Sequence, residues 1–492
     1  MFFEIKSFFL KYLFYNIANH IYAYSYNLHL ETCGGSNYKK FSFVMKYIVL
    51  TIVIFIILFT KPWEINFAGG TPLRDDSTLL MTNAARFKIP LNIFPIGKVI
   101  CNRDSDFPES EKIDRSIERF MRSWSIKGAS FALMKDGKLI YSKGYGYADE
   151  EAGIRTDVQH IFRIASVSKL ITAVGIMKLQ EEGKLQLSDR VFGPEGILKD
   201  SIFLNIKDKK VKKITVDHLL RHQAGFSGAY GDPMFSPLEI ARKMDVPAPA
   251  DLTTVIQYVL KRRLHYAPGT STLYSNIGYG ILTKVIEKAS GMEYEEYIRT
   301  HVLQSAGCYD MHLGNNLYED RLPHEVRYYE SSTPEMIPAC NGSGQLVPKY
   351  YGGNNIAGLY GAGGWVTSAS ELLRFLSAID GDPALPDILR PETIAQMTTY
   401  AADALPIGWM HVTPKGEWWR SGTLSGTSVL LKKQADGYAW AFITNTSNWK
   451  GPRFPSYINQ MVTNALKKVT EWPEKNLFEL QHYEPRRFLV SQ

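Results

Sequence analysis

Strand-like alternation occurs in two widely separated parts of this 492-residue chain, and helical spacing fills the interval between them. Ala129–Met134 and Leu139–Tyr147 read as strands on either side of Lys135-Asp136-Gly137-Lys138, whose Asp-Gly pair is a strong hairpin signal. Ile407–Val412, Ser428–Lys432 and Tyr438–Thr444 read as strands again near the other end. A helix is expected over Lys112–Trp124, with Ile113, Ile117, Phe120 and Met121 on one stripe, and another over Tyr457–Val469. The region up to about Ile379 is mostly helical, with loops rich in Gly, Pro and Asn at Asn315–Pro323 and Ser331–Asn355. These positions predict an α+β fold, an α/β sandwich. One antiparallel sheet is drawn from both chain ends and flanked by helices, with an all-helical lobe inserted. The 45% hydrophobic fraction supports a core of that size, and no internal repeat or low-complexity tract interrupts it.

The first stretch that carries chemistry is Phe162-Arg163-Ile164-Ala165-Ser166-Val167-Ser168-Lys169-Leu170. Ser166 and Lys169 are three residues apart, so at the start of a helix they share a face. The helix N-terminus favours negative charge near the serine oxygen. A lysine desolvated there has a depressed pKa and can accept a proton. An apolar run follows (Leu170, Ile171, Val174, Ile176, Met177, Leu179) and ends at Glu182-Gly183, as a central helix would. Ser36-Asn37-Tyr38-Lys39 has the same spacing without that setting.

The second stretch is Pro268-Gly269-Thr270-Ser271-Thr272-Leu273-Tyr274-Ser275-Asn276, a turn leading into a helix. Tyr274 can exchange a proton if nearby cations stabilise its phenolate, and Asn276 offers a donor and an acceptor. Tyr457-Ile458-Asn459 repeats the spacing inside the closing helix and reads as structural. The third stretch, Trp418 to Ser428, contains Arg420, Ser421, Gly422 and Thr423: a permanent charge, a hydroxyl, and a glycine that allows close backbone approach.

Taken in this order, Ser-x-x-Lys, Tyr-x-Asn, and a basic residue followed by Ser-Gly, the chain resembles the serine β-lactamase and penicillin-binding-protein superfamily. The likeness is to its class C β-lactamase, D-Ala-D-Ala carboxypeptidase and esterase branch. Ile214 to Phe226, containing His218 and His222, and Gly361 to Ser368 resemble further stretches of that family, and the likeness covers roughly 112–468. It implies that Ser166 is the acylated nucleophile, Lys169 its activating partner, and Tyr274 the general base and later acid. By the same likeness Asn276 orients the substrate amide and Lys169, and the backbone N–H groups of Ser166 and Thr423 form the oxyanion hole. Arg420 departs from the usual Lys or His. It keeps a charge for a substrate carboxylate, beside Ser421 and Gly422, but cannot shuttle a proton. His218 and His222 read as structural.

The expected activity is a serine hydrolase working through an acyl-enzyme on peptide-like amides, β-lactams or esters, including peptidoglycan-like peptides, with no metal or organic cofactor. A membrane-anchored penicillin sensor and a non-catalytic binding relative are the alternatives, and the sequence sets no oligomeric state. Lys+Arg 56 against Asp+Glu 49 gives a formal charge of +7, partly local to Lys207–Lys213; no nucleic-acid motif accompanies that run, which reads as a solvated loop. Cys33, Cys101, Cys308 and Cys340 lie far apart, which disfavours a zinc site and leaves Cys308–Cys340 as a candidate disulfide.

The apolar run Tyr47–Thr60 is shorter than the ~20 residues that span a bilayer comfortably. Preceded by Lys39, Lys40 and Lys46, it is expected to anchor the chain with the remainder exported, or to be a signal peptide starting at Met45. A buried helix is the alternative. The expected layout is an N-terminal extension at 1–44, the signal or anchor at 45–60, a linker at 61–108, the catalytic domain at 109–470 and a tail at 471–492.

Overall fold

The computed structural model describes residues 95–97, 100–228, 231–382 and 385–483, all of which fall in one compact unit, Pro90–Gln492. The N-terminal extension, the apolar segment at 45–60 and most of the expected linker lie outside the described residues. Among those described, no helix is long and apolar enough to cross a membrane.

The sheet has seven antiparallel strands: β1 (Gly128–Lys135), β2 (Lys138–Asp149), β3 (Ile154–Arg155), β4 (His411–Val412), β5 (Trp418–Leu424), β6 (Thr427–Lys433) and β7 (Tyr438–Thr444). Their spatial order is β4-β5-β6-β7-β1-β2-β3, so β7, from the C-terminal part, pairs with β1, from the N-terminal part. The Asp-Gly signal marks the β1–β2 hairpin. Asp136 and Gly137 have φ of 48° and 74°, the two positive values that a type I′ turn requires.

Alternation along β7 shows how the two faces divide. Trp440 and Phe442 point to one side, where they meet α1 (Ser110–Trp124) and the closing helix α5 (Phe454–Leu466) through Ile113, Ile117, Phe454 and Ile458. Ala439, Ala441 and Ile443 point to the other. The small residues there let α4 (Ala369–Ser377) pack close, and behind it lies α2 (Ser168–Glu181), whose Leu170, Ile171, Val174 and Ile176 are all fully buried. The second long helix of the inserted region is α3 (Asn276–Ser290).

Four expectations need correction. The inserted lobe is not all-helical, because it also carries short ribbons such as Met336–Pro338 paired with Leu346–Pro348. Within Ile407–Val412 only His411–Val412 is strand. Cys308 and Cys340 are free thiols; the Cys308 thiol faces the Ala306 and Glu371 carbonyls instead. The ends of the expected linker and tail are also structured, since Pro95–Gly97 pairs with Gln481–Tyr483 and Leu477 is fully buried.

Candidate active site

Ser166 sits in a single 3-10 turn, Ala165–Val167, that runs directly into α2. The turn is held from both sides. Ile164 N–H donates to Trp365 O at 3.0 Å, and Trp365 N–H donates to Ser168 Oγ at 3.2 Å. Thr427 Oγ1 donates to Arg163 O at 2.7 Å. Ala165 has φ of 46°, a left-handed conformation that a non-glycine residue adopts only under constraint, immediately before the candidate nucleophile.

Three distant stretches converge on this turn. Lys169 Nζ lies 3.2 Å from Ser166 Oγ and 2.6 Å from Asn276 Oδ1, and also bonds the Ala362 carbonyl. Lys169 stands 5.0 Å from the centre of the Tyr274 ring. Arg420 Nη2 donates to Tyr274 Oη at 3.1 Å and Arg420 Nε to Ser166 O at 2.9 Å. Tyr274 keeps 37% of its surface exposed, whereas Lys169 and Arg420 are fully buried.

The electrostatics follow from two buried cations around one phenol. Burial pushes the Lys169 amine below its ordinary range, with Tyr274 opposing and Arg420 reinforcing. Burial alone would push the Tyr274 phenol up. Lys169 and Arg420, with hydrogen bonds from Lys169 and Ser166, outweigh it and hold the phenol below its usual value. Lys169 bonds three oxygens, and a protonated amine has three donors, so the arrangement accommodates an ammonium beside a phenolate. The lowered Lys169 amine is the direction that the sequence reading expects.

Along β5, burial alternates: Arg420 and Gly422 are buried toward Ser166, while Ser421 and Thr423 are half-buried on the other face. A Cβ at Gly422 would stand 2.4 Å from Ile164 O and 2.9 Å from Ser166 N, so only glycine lets β5 run this close to the Ser166 turn. The Arg420 guanidinium is committed to Tyr274 and Ser166 O, with Nη1 buried and without a partner among the described residues.

His222 and His218 keep their structural reading. His218 Nδ1 accepts from Thr215 N–H at 3.2 Å in a helix cap. His222 Nδ1 accepts from Ser275 N–H at 3.0 Å, and its ring stacks on Tyr274 with centroids 4.5 Å apart. Burial first, then Arg420 and Lys169, push its pKa well down, so it is a neutral platform under the phenol. The second Tyr-x-Asn copy is also structural: Asn459 Oδ1 accepts from Lys432, and Tyr457 packs 5.0 Å from Trp124. Two participants were not read from sequence. The Ala362 carbonyl belongs to a stretch that had been given no role, and Asp232 Oδ2 accepts from Asn276 Nδ2 at 2.7 Å. Asp232-Pro233 is legible as a cap of a short helical turn, but its partner Asn276 is remote in sequence. No group of three or more His, Cys, Asp or Glu side chains among the described residues is placed to hold a metal.

Comparison with known proteins agrees with this geometry. The family model described as Beta-lactamase matches residues 113–462. "Protein flp" of Staphylococcus aureus (strain MW2) is 30% identical over 368 residues, which cover 73% of this chain and 68% of that protein. The octameric penicillin-binding protein homologue from Pyrococcus abyssi superposes with a TM-score of 0.54 and 26% identity, covering 75% of this chain and 79% of that one. D-amino acid amidase from Ochrobactrum anthropi SV3 has a TM-score of 0.57 at 19% identity, covers 73% of this chain and 98% of that one, and shares the fold. With the Ser166, Lys169 and Tyr274 side chains gathered at one turn inside the matched span, this chain belongs to the β-lactamase family, the serine hydrolases of the β-lactamase and penicillin-binding-protein fold.

Proposed function

We propose that the chain hydrolyses peptide-like amides, β-lactams or esters through an acyl-enzyme on Ser166. The observation that carries this reading is the placement of Lys169 within 3.2 Å of Ser166 Oγ while Arg420 and Lys169 depress the phenol of Tyr274. The Tyr274 phenolate takes the Ser166 proton as Oγ attacks the substrate carbonyl. The negative charge that develops on the carbonyl oxygen meets the backbone N–H groups of Ser166 and Thr423, and Gly422, next to Thr423, lets its strand approach Ser166 N closely. The phenol then returns its proton to the leaving group, and water completes the cycle by the same route. Asn276 lines the substrate side, and Arg420 holds the base. No metal or organic cofactor enters these steps.

A panel of a chromogenic cephalosporin, a D-Ala-D-Ala peptide and a p-nitrophenyl ester, run on the protein and on Ser166→Ala, tests the assignment. At least one substrate should turn over, with loss of the activity in the variant by about 10³-fold or more. Acylation that stops at one equivalent would replace hydrolysis with sensing. Turnover that survives in Ser166→Ala would remove the proposal.

A further inference from the structure

Asn276 is gripped at both ends of its amide: the oxygen by Lys169 at 2.6 Å, the nitrogen by Asp232 Oδ2 at 2.7 Å. A primary amide has an acceptor end and a donor end, which a half-turn about its last side-chain bond exchanges. Here both neighbours demand the same orientation, since an ammonium favours only the carbonyl and a carboxylate only the NH₂. Asp232 is fixed in turn by its second oxygen. Oδ1 accepts from Met234 N–H at 3.0 Å and caps the turn Pro233–Phe235.

We propose that Asp232 is a positioning residue for acyl transfer: acting through Asn276, it keeps the amide oxygen on Lys169 and so holds Lys169 between Ser166 and Tyr274. Asp232 touches none of the reacting groups, and the inference rests on the serine hydrolase reading above. If the amide turned, its NH₂ would face Lys169, which would lose one of its three oxygen partners and the geometry that sets its distance to Ser166 Oγ.

The donor and acceptor directions make the proposal testable by exchange. In Asp232→Asn only one oxygen remains for two N–H donors. If it stays on Met234, the new NH₂ faces the Asn276 NH₂ and forces that amide to turn. In Asn276→Asp two carboxylates meet. In the double variant the pattern is complete again. The amide now at 232 keeps its oxygen on Met234 N–H and donates to the carboxylate now at 276, whose other oxygen receives Lys169.

With the full-length chain and a p-nitrophenyl ester, each single variant should lower kcat at least about tenfold, and the double should return to within about threefold of wild type. KM should stay raised in the double variant, because position 276 no longer offers an N–H to the substrate. Urea midpoints of the four proteins should follow the same order without depending on turnover. The proposal is overturned if Asp232→Asn matches wild type, or if the double variant is no better than its poorer parent. It is also overturned if the urea midpoint recovers while kcat does not, which would leave a purely structural pair. Ester hydrolysis that persists in Ser166→Ala would instead remove the serine hydrolase reading, while the urea midpoints would still report the pairing.

Discussion

Arg420 shows what one side chain changes at this site. Its guanidinium stays protonated and can only donate, so its 3.1 Å bond to Tyr274 Oη stabilises the phenolate. A lysine or histidine at 420 could share a proton with the phenol; arginine cannot. In the proposed mechanism the base acts as the deprotonated phenol of Tyr274, whose pKa is depressed in the folded protein. The rate should therefore rise with pH through that lowered value and level off above it. Removing the charge in Arg420→Gln should move this limb to higher pH, with about a tenfold loss of activity at neutral pH for each unit of displacement. Profiles of kcat/KM against pH for the two proteins check this, and coincident limbs would contradict it. The motif residues themselves were legible in the sequence, because spacing, a following apolar helix and a preceding turn distinguished Ser166 from Ser36 and Tyr274 from Tyr457. What Arg420 does with its charge was not legible, since that depends on a partner that folding brings from a remote stretch.

The elements divide into those that carry the site and those that only hold the sheet. The hairpin turn at Asp136-Gly137 belongs to the second kind. In the strand register it lies beside Tyr438, at the end of the sheet opposite Thr423, which pairs with Ser428. Gly137 adopts φ of 74°, so Gly137→Ala should lower stability by about 1 kcal/mol in urea denaturation and leave kcat unchanged. A loss of kcat as large as the loss of stability predicts would show that the two ends of the sheet are coupled. This hairpin was readable chiefly from the Asp-Gly pair, because β1 is buried on both faces and its residues are nearly all apolar. The Ser166 turn was not. Local spacing predicts a helix there, whereas bonds to Trp365 and Thr427 hold a 3-10 turn with a left-handed Ala165.

At the scale of the whole molecule, the pairing of β7 with β1 closes the chain on itself, and the segment after the closing helix adds to that closure. Leu477 is fully buried, and Asn476 Oδ1 accepts from Leu139 N–H at 3.1 Å in β2. Deleting residues 471–492 should destabilise the protein by at least about 2 kcal/mol, the contribution of one buried leucine, with kcat retained at temperatures where it stays folded. Unchanged denaturation curves would show that the segment contributes nothing.

The sequence alone determined the local periods and the three polar stretches, and from them the sheet drawn from both ends and the candidate nucleophile, lysine and tyrosine. Each of those rests on residues near one another in the chain. Only the tertiary structure decided how the charges are used. Burial depresses the Lys169 amine, the Lys169 and Arg420 charges depress the Tyr274 phenol against its own burial, Asp232 meets Asn276 across the lobe, and Cys308 and Cys340 remain free thiols. Dielectric environment and long-range partners are properties of the folded packing, and no window of sequence contains them.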